Sequence, residues 1–212
     1  MTFKSVVKQA ASVSGLYASF MPKPLETEKS SALGLMFEVY KDGKNLFEEK
    51  MLEPEACSFV AGILGCLPEL TVFLRPTTNS YSADSRRELG WSNLSGRFSV
   101  CIPVVAGIKG RMELTAADPA IHPHLAYALL VRAGLEGIRK ELAMPRMETA
   151  SGKLPATLRQ AVTAANRGKL CKAFIPQDVL GSYLSNKQDA VNDYTKAKKK
   201  MEFDRETYFE IL

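Results

Sequence analysis

Imidazole is scarce in this chain. Of 212 residues only two are histidines, and both lie in the run His122-Pro123-His124. With every imidazole in one short segment, no Ser-His-Asp triad can be assembled from separated positions. The intervening proline, at a helix start, is expected to place the two rings on different sides. No cysteine or carboxylate nearby completes a metal-ligand set, so a capping or packing role is expected for His122. The four cysteines, Cys57, Cys66, Cys101 and Cys171, form no Cys-x-x-Cys pair, which speaks against a thiolate metal site or a disulfide framework and for buried thiols. Long apolar runs are missing too. The longest, Leu125 to Val131, falls far short of the roughly 20 residues of a membrane helix, and the first residues are amphipathic rather than signal-like. A cytoplasmic chain with no membrane partner is expected. There is no Gly-rich phosphate loop, because Gly62 and Gly65 sit inside an apolar helical stripe where close packing explains them. The net charge of +5 does not imply nucleic acid. Its densest basic cluster, Lys196-Ala197-Lys198-Lys199-Lys200, is followed at once by Glu202, Asp204 and Glu206, the pattern of a solvated helix face.

What remains is a globular composition, 46% hydrophobic, with legible punctuation. Phe3, Val6, Val7, Ala10 and Val13 recur at helical spacing up to Gly15, and Leu16 to Met21 reads as a strand ended by Pro22 and Pro24. Leu33 to Tyr40 reads as extended, with Gly34, Met36 and Glu38 on one face and Leu35, Phe37 and Val39 on the other; Asp42-Gly43 then turns the chain. Pro54 opens a helix striped by Ala56, Phe59, Val60, Ile63, Leu64 and Leu67, and Pro68 is expected to restart it as a shorter segment to Leu74. Arg75 to Gly90 is polar and predicts a loop of about 15 residues, a length often tied to function. Arg97 to Val104 and Gly110 to Thr115 predict a hairpin. Asp118-Pro119 is read as the start of a central, buried helix running to Leu142. Helices over Leu154 to Ala165 and Pro176 to Gln188, and a helical tail, complete the chain, with breaks at Gly152 and Gly168.

Several segments carry a family resemblance, and they occur in the family's order. Phe20-Met21-Pro22-Lys23-Pro24-Leu25 and Lys41-Asp42-Gly43-Lys44-Asn45-Leu46-Phe47 come first. Pro76-Thr77-Thr78-Asn79-Ser80-Tyr81 and Trp91-Ser92 follow. Then come Arg111-Met112-Glu113, Asp118-Pro119, Pro123, Leu125-Ala126 and Ala133-Gly134-Leu135-Glu136-Gly137-Ile138, with Leu154-Pro155-Ala156-Thr157-Leu158 and a Phe203-centred tail near the end. Together they resemble the back half of the glutamine synthetase catalytic domain. The resemblance covers about Phe3 to Leu212. It implies one C-terminal catalytic-domain portion over residues 1–212 without an N-terminal β-grasp domain, and an α+β fold. The expected architecture is a mostly antiparallel sheet of about four strands, a partial barrel of the family's type, packed on a helical layer.

The resemblance also implies a site, and here the chain departs from it. Between the two opening flanks the family carries Gly-Ser-Gly-Met-His-x-His-x-Ser, whose histidines serve a metal and the nucleotide. On an ungapped comparison those histidines fall at Gly34 and Met36, and the serine at Glu38. The family's substrate loop is shortened to Ser82–Gly90, where Arg86, Arg87 and Glu88 keep suitable chemistry. Its Asn-Arg pair becomes Ser95-Gly96, a strand arginine becomes Cys101, and the second arginine of Arg-x-Glu-x-Arg becomes Thr115. Arg111 keeps the nucleotide-phosphate position and Glu113 the metal-ligand position, while Lys23 is a further candidate for a phosphate.

Family chemistry moves the γ-phosphate of ATP to the glutamate side chain and displaces it with ammonia, which calls for two divalent metals and several arginines. A single carboxylate holds Mg²⁺ or Mn²⁺ weakly, and each lost electrostatic donor costs roughly 10² in rate. The expectation is a glutamine synthetase-like chain inactive by itself, serving as a binding, structural or regulatory subunit in a homo-oligomer or with a glutamine synthetase-like partner. ATP and Mg²⁺ or Mn²⁺ enter only if the family activity is retained. The alternative is a subunit of an ATP-dependent glutamate–ammonia or glutamate–amine ligase that completes its site with a partner chain.

Overall fold

The computed structural model describes residues 2–48, 52–82, 88–94, 96–104 and 109–212. Among these lie a five-stranded sheet, a two-stranded hairpin and seven α-helices. The first helix, α1 (Thr2–Val13), follows the amphipathic pattern but buries no residue. It is pinned by Phe3, edge-on to Phe20 at 6.0 Å, and by the Lys4 ammonium, which donates to the Pro119 carbonyl. Leu16 to Met21, expected as a strand, is irregular. No described strand lies alongside to take up its backbone groups, and apolar composition alone does not make a ladder.

The expected face alternation is realised in β1 (Leu33–Phe37), with Leu35 and Phe37 buried and Met36 exposed. Asp42 and Gly43 both take positive φ (51° and 79°), the conformation a tight two-residue turn requires, and join β2 (Tyr40–Lys41) to β3 (Lys44–Asn45). Lys41 pairs with Glu55 and Lys44 with Glu53, so this hairpin rests on the first turn of α2.

Helix α2 (Pro54–Leu74) is continuous through Pro68, where the sequence predicted a restart. The missing N–H and ring clash of an interior proline cost about 3 kcal/mol. Ile63, Leu67, Leu70 and Leu74 keep one buried stripe on both sides of it, and burial at roughly 1.5–3 kcal/mol per large side chain outweighs that cost. By length and composition α2 is, among the described residues, the one helix suited to cross a membrane, yet 72% of that window is buried inside this protein. It is the core helix.

A short 3₁₀ turn (Asn79–Tyr81) follows, and Arg75, Thr77, Thr78, Asn79 and Ser80 of the polar loop segment are buried. Residues 83–87 lie outside the described part, so of the three loop candidates only Glu88 can be placed. It opens β4 (Glu88–Ser92) and pairs with Arg97 at 3.0 Å. Next come β5 (Phe98–Cys101) and β6 (Met112–Ala117), antiparallel as expected, with Val100 opposite Leu114 and Cys101 opposite Glu113. A short β7 (Gly152–Lys153) completes the sheet in the order β1-β6-β5-β4-β7, in which only the β4–β5 pairing is parallel.

The next helix begins at Pro123 rather than Pro119: α3 is Pro123–Arg139. Asp118 instead closes a turn by accepting from the Ala120 N–H at 2.9 Å, and the buried Ile121 separates that turn from the helix. The outer face of α3 is exposed at Tyr127, Val131 and Leu135, so this helix is half-buried rather than surrounded. Its inner face meets α2 through glycines. A Cβ on Gly137 would stand 2.7 Å from the Gly62 Cα, and one on Gly134 would stand 2.6 Å from Cζ of the Phe59 ring.

Helices α4 (Leu158–Arg167), α5 (Leu170–Phe174), α6 (Gln177–Lys196) and α7 (Lys200–Tyr208) form the rest of the helical layer. The start of α5 is capped from far away, because the Glu69 carboxylate accepts from the Leu170 and Cys171 N–H groups at 3.1 and 3.2 Å.

Candidate functional site

The sheet has two unlike faces. Leu35, Phe37, Leu89, Val100, Met112 and Leu114 turn toward the helices and form the core. Cross-strand partners share a face, so Met36 and Cys101, both opposite Glu113, lie with it on the other side. Gly34 joins them: a Cβ there would stand 3.3 Å from the Glu113 Cδ. Gly34, Met36, Cys101 and Glu113, which the family comparison picks out one by one, are thus one cluster across β1, β6 and β5.

The chemistry of that cluster is sparse. Glu113 is half-buried, and its carboxyl lies over the backbone of Gly34 in the space a side chain would fill. Burial pushes the Cys101 thiol above its ordinary value, and the nearby Glu113 charge pushes the same way, so a protonated, inert thiol is held there. Thr115 spends its hydroxyl on the Phe98 carbonyl at 2.9 Å. Among the described residues no three His, Cys, Asp or Glu side chains gather as a metal-binding group. Arg111, just before β6, is half-buried, and its Nε is buried with no hydrogen-bond partner. An unpaired buried donor is uncommon in a folded protein, which singles out this nitrogen.

Lys23 is held elsewhere. Its backbone N–H donates to Asn79 Oδ1 at 2.7 Å and its carbonyl accepts from Asn79 Nδ2 at 2.9 Å. Its neighbour Pro22 lines a small cavity with Thr115, Ala116, Ala117 and Asp118, at the far end of β6 from Arg111. Six strand residues at about 3.3 Å each separate the two ends. The structure places Arg111 just before the strand that carries Glu113 and leaves Lys23 apart.

Two buried polar centres escaped the sequence reading. Asp204, in a stretch whose charge pattern predicts a solvated helix face, is fully buried. It accepts from Thr78 Oγ1, from Asn79 Nδ2 at 3.4 Å and from Ser82 Oγ at 3.3 Å, which clamps α7 onto the 78–82 segment. Replacing Asp204 by alanine strands these donors, and an expected loss of about 2–3 kcal/mol is measurable by denaturant unfolding. The other centre is Asp118, whose Oδ2 has no partner. Burial raises its carboxyl to about 6, although the nearby Ser80 hydroxyl, the Ala120 N–H, Arg75 and Lys4 pull the other way.

The histidines behave as a cap. His122 Nδ1 accepts from the Leu125 N–H at 3.4 Å at the head of α3. The two rings lie 5.6 Å apart, where opposite sides were expected, because an N-cap side chain folds back over the first turn.

A mostly antiparallel five-stranded sheet, backed by helices on one face and carrying Glu113 on the other, defines an α+β domain. The family model "Glutamine synthetase, catalytic domain" matches residues 1–206. The glutamine synthetase of Methanosarcina mazei is 33% identical over 92% of this chain and 48% of its own length. That of Clostridium saccharobutylicum is 32% identical over 92% and 49%, and that of Thermus thermophilus 30% over 96% and 51%. Among solved structures, one described as apo GmaS without ligand matches with a TM-score of 0.83 at 28% identity, covering 97% of this chain and 51% of that one. A GmaS/ADP complex matches at 0.81 and 27%, with 97% and 52% covered. This chain belongs to the glutamine synthetase family, and it spans about half the length of the curated relatives it matches.

Proposed function

We propose that the chain is a glutamine synthetase-like protein without ligase activity of its own, acting as a binding, structural or regulatory subunit. One observation carries the reading. On the ungapped comparison the family's metal-binding histidine falls at Gly34, and the Glu113 carboxyl occupies the space beside it. A lone carboxylate with methionine, glycine and a protonated thiol around it offers a hard divalent cation too few oxygens. The losses at Met36, Cys101 and Thr115 lie within the described part, so a partner supplying other segments would not restore them. Cytoplasmic residence and assembly with a second copy or a glutamine synthetase-like partner belong to the same proposal. The assembly is supported by β1, whose outer edge is unpaired among the described strands, since open edges favour pairing.

The test is ATP- and metal-dependent formation of γ-glutamyl hydroxamate by the purified chain, alone and with co-purifying partners. No product above the protein-free level is expected. Activity that disappears in Glu113→Ala would overturn the reading. The alternative, a ligase subunit completed by a partner, draws on the unpaired Arg111 Nε and on the ADP-bound relative; it predicts activity only with the partner present. Size measurement returning monomer alone would count against a subunit role of either kind.

A further inference from the structure

A second concavity, lined by none of Gly34, Met36, Cys101 and Glu113, lies at the end of β4 and β5 where the connection from α3 to β7 runs beside Trp91. Its volume is about 790 Å³, within the range of pockets that hold small organic molecules. Phe47, Trp91, Ile102, Met144 and Met147 supply apolar walls, and Lys109 and Arg146 stand on the same lining. Both cations are exposed, and neither makes an ion pair among the described residues. Glu48 and Asn93 are the remaining side chains there with polar groups that could face a ligand.

The walls are fixed by the backbone. Trp91 Nε1 donates to the Pro145 carbonyl at 2.7 Å, and the Glu148 N–H donates to the Trp91 carbonyl at 2.9 Å. Arg146 therefore sits between two tethers to one residue. Lys109 precedes Gly110, whose φ of +86° suits glycine and whose carbonyl accepts from Asn45 Nδ2 at 2.7 Å. Both cations thus project from anchored segments, and less ordering is left for a ligand to impose. Methionine walls adapt to varied apolar shapes. Two unpaired cations against one carboxylate leave the lining net positive, so the complementary ligand carries one anionic group on an apolar body.

We infer that this pocket binds an organic carboxylate with an aliphatic or aromatic body, with the apolar part against Trp91 and the methionines and the carboxylate held by Lys109 and Arg146. The chain has a single tryptophan, and it lines this pocket, so binding reports on itself. In the experiment, anilinonaphthalene sulfonate is bound to the full chain, energy transfer from Trp91 is recorded, and the dye is displaced with decanoate or with decanol. Decanoate is expected to displace the dye at a concentration at least about 10-fold lower than decanol. Lys109→Glu with Arg146→Glu is expected to weaken decanoate by about 10-fold or more and to leave decanol unchanged. Lys172→Glu with Lys198→Glu makes the same charge change at exposed sites elsewhere and is expected to leave decanoate unchanged. All four substitutions are on exposed side chains, and circular dichroism checks that the fold is kept. Equal displacement by decanol, no displacement by either, or decanoate binding indifferent to the Lys109/Arg146 reversal overturns the inference.

Discussion

Replacing Gly137 by alanine is expected to lower stability by about 3 kcal/mol, the upper part of the usual range for overpacking. A methyl group there would stand 2.7 Å from the Gly62 Cα and 2.8 Å from its N. Both are backbone atoms of a buried helix, so no side-chain rotation relieves the clash and α2 and α3 must separate. The alanine's better helix propensity returns only about 1 kcal/mol. At roughly 2–4 °C per kcal/mol for a chain of this size, the melting temperature should fall by about 10 °C. Gly65→Ala on the same helix pair is the counterpart. Its Cβ would meet nothing within 4 Å, so propensity acts alone and a gain of about 0.5–1 kcal/mol is expected. Two variants shifting together in either direction would show that the α2–α3 crossing is not the close approach described.

The second large effect is on pH dependence. Asp118 is buried and its carboxyl is raised to about 6, against about 3.9 for an unperturbed aspartate. A raised acid binds its proton more tightly in the folded state, so its contribution is fully present below about pH 4 and is lost as pH rises through 6. Two units correspond to about 3 kcal/mol at 1.36 kcal/mol each. An asparagine side chain at this position would keep an acceptor for the Ala120 N–H and carry no charge. The stability of Asp118→Asn relative to the parent should therefore rise by about 2–3 kcal/mol between about pH 4 and pH 7.5, read from urea unfolding at a series of pH values. Parallel pH profiles for the two proteins would remove Asp118 as the titrating group.

Local physics made much of the fold legible. The alternation in Leu33–Phe37, the Asp42-Gly43 turn and the β5–β6 hairpin are short-range patterns, and each is present. What failed depended on partners distant in the chain. Leu16 to Met21 has no neighbouring strand among the described residues, Pro68 is overridden by packing on both sides, and Asp118 is drawn into the interior before it can cap a helix. Gly62 and Gly65 carry the same signal in sequence, yet one touches a second backbone and the other touches nothing. Of the site, the family comparison named Gly34, Met36, Cys101, Arg111 and Glu113, and strand register shows why four of them belong together. Asp204 was hidden among exposed charges. Its partners Thr78, Asn79 and Ser82 lie more than a hundred positions earlier, and no local pattern announces such a pairing.

Helix α2 has one more consequence, for biogenesis. A segment apolar enough to pass for a membrane span is synthesised well before α3 and α4, the helices that cover it. During that interval the nascent chain displays a rod of about 30 Å, at about 1.5 Å per residue, which chaperones and membrane-insertion machinery recognise by hydrophobicity alone. Variants that loosen the α2–α3 contact should therefore first be seen as lost soluble yield in cells.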